Sequence, residues 1–185
     1  NLHSAIMKKG TAIGIIETSS IAKGFGISDS ILKAANVQLI VNRTICPGKY
    51  MVLIGGDVDA VQASIESGIK TAAHTLVDHF VIPNVHPTVF PAISGVGHIP
   101  VLRALGVVES FSVASIIEAA DAAVKATNIE LVTLHLAMAI GGKGFVTFTG
   151  DVASVEEGVR LAAAVIEKKG LLVERTVIPA PRKEL

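Results

Sequence analysis

The chain states one pattern twice. Ala12-Ile13-Gly14-Ile15-Ile16-Glu17 returns as Ala104-Leu105-Gly106-Val107-Val108-Glu109. Asp29–Leu39 (DSILKAANVQL) returns as Asp121–Leu131 (DAAVKATNIEL), Gly56-Asp57-Val58 as Gly150-Asp151-Val152, and Val81-Ile82-Pro83 as Val177-Ile178-Pro179. The offset is 92 (104 − 12), then 94 (150 − 56), then 96 (177 − 81). A steady order with small insertions is the mark of duplicated domains. Solenoid repeats run to about 20–50 residues, so each copy is instead a small domain with its own core. The expected division is a first domain at 10–90, a linker at 91–103 and a second domain at 104–185. Two like domains in one chain also invite pseudo-symmetric assembly.

Composition narrows the partners. Half of the 185 residues are hydrophobic and the mean hydropathy is +0.60, more apolar material than a small monomer needs. Sixteen basic residues balance sixteen acidic ones, which excludes a basic field for nucleic acid or an anionic membrane. Apolar runs such as Ala162–Ile166 fall far short of the ~20 residues of a membrane span. No apolar stretch ahead of a small-residue cleavage site marks a signal peptide, and Asn1–Ile6, before Met7, are set aside as an appended segment. The single cysteine forbids an intramolecular disulfide and suits a reducing cytoplasm. Tryptophan is absent and aromatic residues make up 4%, leaving no stacking platform for single-stranded nucleic acid.

Within each copy the order reads strand, helix, strand, strand, helix, strand. Thr11–Glu17 is an Ile-rich strand. Ile21, Phe25 and Leu32 then fall on one helix face, as do Val113, Ile117, Ala120 and Val124 in the second copy. Ser20 and Ser112 are N-cap candidates. The β-branched runs Val37–Ile45 and Lys49–Gly55 are split by Cys46-Pro47-Gly48, a turn signal. Asp57 and Asp151 stand where a second helix begins, with Val61, Ile65 and Gly68 matching Val155, Val159 and Ala162. The closing strands Leu76–Ile82 and Leu172–Ile178 end at Ile-Pro, where proline offers no further ladder donor. This is the split βαβ, or ferredoxin-like, α+β unit: a four-stranded antiparallel sheet with both helices on one face. The opposite face is left exposed or free to meet a partner. The segment from Asn84 to Arg103, rich in Pro and Gly, reads as an extended crossing with little regular structure.

Catalytic motifs are missing. Gly24-Phe25-Gly26 lies inside a helix and reads as tight helix packing. Gly141-Gly142-Lys143-Gly144 leads into a strand with no Ser or Thr after the lysine, so it reads as a turn and not a phosphate loop. No G-x-S-x-G or H-E-x-x-H occurs, and no pair of the six histidines shows ligand spacing. Glu17 and Glu109 end equivalent strands and read as one structural contact made twice.

Cys46 differs. Its counterpart lies near Met138–Ala139, so the thiol is not part of the common core of the two copies. It is either a small hydrophobe, a nucleophile with no local base, or a metal ligand. An iron–sulfur cluster usually needs four thiolates and the chain has one. Only an oligomer that gathers Cys46 at an axis could build such a site; a threefold axis would supply three.

These residues resemble the shell domain of bacterial microcompartments. Residues 12–17, Lys33-Ala-Ala-Asn-Val37, Gly56-Asp57-Val58 and 81–83 carry the likeness, and the second copy repeats it. The chain is similar to tandem-domain, trimer-forming shell proteins. Thr44-Ile45-Cys46-Pro47-Gly48-Lys49, Asn84-Val85-His86-Pro87 and Pro91-Ala92-Ile93-Ser94-Gly95 are similar to the propanediol-utilisation type. The resemblance implies a cytoplasmic structural protein and not an enzyme. It implies a homotrimer packed as a pseudohexameric tile among other shell proteins, with encapsulated enzymes as further partners. It implies one 4Fe–4S cluster per trimer, bound by Cys46 and serving electron transfer, with Pro47, Gly48, Gly141, Gly142 and Lys143 in the pore loops. Lys33 and Lys125 match lysines at the tile edge. The chain departs from the family at Ala180 and Asn84, where an arginine often follows the proline. The competing reading is a tandem ferredoxin-like sensor of a small metabolite with a structural Cys46.

Overall fold

The computed structural model describes residues 11–95, 101–137, 141–182 and 184. Met138 and Ala139, near which the counterpart of Cys46 is expected, lie outside them, as does Ile140. The chain forms two compact units, 1–87 and 88–185.

In the first unit, β1 (Ala12–Thr18), α1 (Ile21–Ala34), β2 (Gln38–Ile45), β3 (Lys49–Gly56), α2 (Val58–Ala72), a single 3-10 turn and β4 (Leu76–Ile82) follow in order. The sheet runs β2-β3-β1-β4, antiparallel throughout. β3 inserted between β1 and β2 is the split βαβ arrangement. Ala12, Ile16, Tyr50, Val52 and Ile54 from the sheet pack against Ile27 and Ile31 of α1 and Val61, Ile65 and Ala72 of α2.

The second unit repeats this with β5 (Ala104–Ser110), α4 (Val113–Ala126), β6 (Glu130–Leu136), β7 (Gly144–Gly150), α5 (Val152–Glu167) and β8 (Leu172–Ile178). Its sheet order is β6-β7-β5-β8. It also holds a helix that the sequence did not suggest, α3 (Val89–Ser94), inside the segment read as extended. Val89, Phe90 and Ala92 are buried, and α3 packs on β6 and α4. Pro91 is tolerated because it sits in the first turn, where backbone N–H groups have no intrahelical partner. Gly95 ends the helix at φ 65°, a left-handed conformation suited to glycine.

The expected caps form with one exception. Ser20 accepts from the Lys23 amide and Ser112 from the Ser115 amide. Asp151 accepts from the Ser154 amide at 2.9 Å and from its hydroxyl at 2.7 Å, whereas Asp57 makes no side-chain cap bond. The Ser154 amide bond, first among the causes, holds the Asp151 carboxyl below its ordinary 3.8. A depressed carboxyl stabilises the fold above its unfolded pKa, and the stabilisation fades as pH falls through the folded value. Asp151→Ala is therefore expected to unfold more readily than Asp57→Ala at pH 7. The two variants should converge in strong acid, as followed by thermal unfolding at several pH values.

The first helix face is not the core face. Ile21, Phe25 and Leu32 share a face as the spacing predicts, yet they are 41%, 63% and 47% exposed. α1 turns Gly24, Ile27, Ser28 and Ile31 inward instead. The equivalent residues of α4, Val113, Ile117 and Val124, are buried.

Candidate functional site

β2 and β3 are joined by a three-residue turn, Cys46-Pro47-Gly48, with all three residues exposed. Gly48 has φ +71° with nothing near the position of a Cβ, so glycine serves here for its backbone freedom and not for close packing. Cys46 is a free, exposed thiol.

The turn is fixed at both roots. Ile45 is 4% exposed and pairs in register with Lys49. The Lys49 ammonium donates to Glu17 Oε1. The Glu17 side chain is fully buried and that of Lys49 is 17% exposed. Glu17 comes from the end of β1, the strand beside β3, so the pair ties the first residue of β3 to the middle of the sheet.

The second unit repeats the anchoring pair, although its connection between β6 and β7 spans 137–143 and is longer. Gly141 and Gly142 have φ 67° and 84°, and Lys143 Nζ donates to Glu109 Oε1 at 2.6 Å. The expectation that Glu17 and Glu109 make one contact twice is met, with the lysines as partners. Lys143 is thereby tied to the sheet at the root of its turn. Its side chain is 36% exposed and that of Glu109 is 30% exposed, so this pair is more open to water than Glu17 and Lys49. Lys49 did not stand out in the sequence. The signal was present: Lys49 and Lys143 are 94 apart (143 − 49), and their glutamates 92 (109 − 17).

Lys33 and Lys125 each bond an aspartate one turn back, Asp29 at 2.7 Å and Asp121 at 2.6 Å. The first pair is open to water, with side chains 75% and 64% exposed; in the second, Asp121 is 8% exposed. His135 stacks on Phe145 with ring centroids 5.0 Å apart. Among the described residues no three His, Cys, Asp or Glu side chains are arranged to hold a metal. One chain therefore offers one thiolate donor at Cys46, the right donor type for iron–sulfur chemistry but not a complete set.

A duplicated, all-antiparallel split βαβ domain with a Lys–Glu pair at equivalent places defines a class of tandem-domain proteins. Residues 12–85 and 104–181 each match the BMC domain, and the chain belongs to this family of bacterial microcompartment shell proteins. It is 50% identical over 174 residues to the bacterial microcompartment shell protein PduT of Citrobacter freundii, covering 94% of this chain and 95% of that one. A solved microcompartment protein from Desulfitobacterium hafniense DCB is 48% identical, with TM-score 0.87 over 94% of this chain and 97% of its own. The fused permuted hexameric shell protein MSM0275 of the RMM microcompartment shares the fold at 21% identity, TM-score 0.65, covering 85% of this chain and 84% of its own. Among the described residues, no helix is long and apolar enough to cross a membrane.

Proposed function

We propose that this shell protein is a structural tile with a redox centre at its axis. Three chains close into a pseudohexameric ring of six domains, with the Cys46 turns at its centre. The exposed apolar face of α1 supports the ring. Ile21, Phe25 and Leu32 are exposed, while Val113, Ile117 and Val124 are buried. An exposed apolar helix face of this kind is a surface for another copy to cover.

At the axis three Cys46 thiolates would hold one 4Fe–4S cluster, leaving one iron position for solvent or a small ligand. Bound there, the cluster supplies one-electron transfer across the shell. The protein holds it from short turns: Pro47 and Gly48 keep the backbone close, and Gly141 and Gly142 shape the neighbouring turns. Lys33 and Lys125 belong to the tile edge, where other shell proteins pack, with encapsulated enzymes on the inner side. The reading includes no catalytic step.

Anaerobic reconstitution of wild type and Cys46→Ser tests the centre. Wild type should carry about four irons per three chains and absorb broadly at roughly 400 nm, and Cys46→Ser should do neither. Equal iron in both proteins would sink the proposal.

A further inference from the structure

A Lys–Glu pair stands at the start of the third strand in both units, and the more deeply buried pair sits under the cysteine. The Glu17 side chain is wholly removed from water and that of Lys49 is 17% exposed, whereas those of Glu109 and Lys143 are 30% and 36% exposed. Taking an ion pair out of water is costly, so a buried pair is poor evidence for stability alone. A pair partly open to water is more screened and holds its partners more loosely. The costly version occurs at the β2–β3 turn, three residues from Cys46. There Ile45 is held by burial and Lys49 by a carboxylate on the central strand β1. A three-residue turn pinned at both ends has few ways to move its thiol.

We infer that the Glu17–Lys49 pair is a positioning device for Cys46, holding each thiolate where three of them can share one metal cluster. The cluster part of this inference rests on the function proposed above; the positioning part does not. Groups behind the ligands commonly change metal affinity about 10–100-fold when removed. In a trimer the effect acts at all three ligands together.

The test uses the full chain in two states. In the reconstituted trimer, Glu17→Gln and the double variant Glu17→Gln/Lys49→Met should lose iron to a chelator about tenfold faster than wild type or more. Lys49→Arg, which keeps a cation, should stay near wild type, as should Glu109→Gln. The double variant removes both charges together, so it guards against a single variant that fails to fold with an orphaned partner.

In the iron-free protein a nitroxide label on Cys46, the only cysteine, reads the turn directly. Its spectrum should show faster motion in Glu17→Gln and the double variant and no change in Glu109→Gln. Unchanged label motion together with wild-type rates of iron loss would overturn the inference. Should wild type bind no iron at all, the cluster reading falls. The label spectra alone then decide whether the pair positions the thiol.

Discussion

Phe25→Asp is expected to leave a folded chain that no longer assembles. Phe25 is 63% exposed in the single chain, so the substitution leaves most of the core untouched. Its ring leans on the buried Tyr50 of β3 with centroids 5.2 Å apart, the one ring contact the substitution gives up. In the ring proposed above the same position is covered. An aspartate there would bury a charge without a partner, a cost of about 3–5 kcal/mol at each seam. Three such seams close a trimer, so the penalty is paid three times. Light scattering should give the mass of one chain, with circular dichroism like that of wild type. Lys23→Glu, an exposed change elsewhere on α1, should remain trimeric. A Phe25→Asp protein that still forms trimers would remove this face from the seam.

The second large effect lies one residue earlier. A Cβ on Gly24 would come within 2.3 Å of the Tyr50 ring and 2.6 Å of Tyr50 Cβ. The last atom is close to the backbone and cannot swing away, so α1 or β3 would have to shift. Overpacking of this kind costs about 1–3 kcal/mol or more, against about 1 kcal/mol gained when alanine replaces glycine in a helix. Gly24→Ala should therefore unfold at lower urea than wild type. Gly26→Ala should do the reverse. Its Cβ meets only Thr71 Cγ2 at 3.8 Å, which leaves the helix-propensity gain of about 0.5–1 kcal/mol unopposed. A Gly24→Ala protein more stable than wild type would show that the helix rides further from the sheet than described.

This contact also shows what duplication conceals. The counterpart of Gly24 is Ile116 (116 − 24 = 92) and that of Tyr50 is Gly144 (144 − 50 = 94). A Cβ on Gly144 would lie 3.1 Å from Ile116 Cγ2. The first unit thus sets a small residue on the helix against a large one on the strand, and the second unit does the opposite. Both fill the same space, as interior packing requires. The expectation that Gly24-Phe25-Gly26 serves tight packing holds for Gly24, while Gly26 faces nearly open space.

Much of the fold was legible because its signals are local. Strand limits at 76–82 and 172–178 follow from β-branched runs closed by Ile-Pro, and the caps at Ser20 and Ser112 follow from a hydroxyl three residues before a free amide. The candidate site was half legible. Cys46 stood out as the break between the copies, and the structure places it on an exposed turn. Lys49 did not stand out, because its partner Glu17 is 32 residues away and an ion pair leaves no periodic trace. The helix α3 was missed for a related reason: six residues are too few to display a period, and Pro91 and Gly95 read as breakers.

The sequence by itself determined the duplication, the order of strands and helices, the family likeness and the lone cysteine at the point where the copies part. All of these depend on neighbours along the chain. The tertiary structure alone decided which face of α1 meets the sheet, which glycine is wedged against a ring, and that the carboxylate anchoring the cysteine turn is buried while its twin is wet. Those outcomes depend on atoms brought together from distant positions. Burial and charge pairing act through space, and spacing along the sequence cannot encode them.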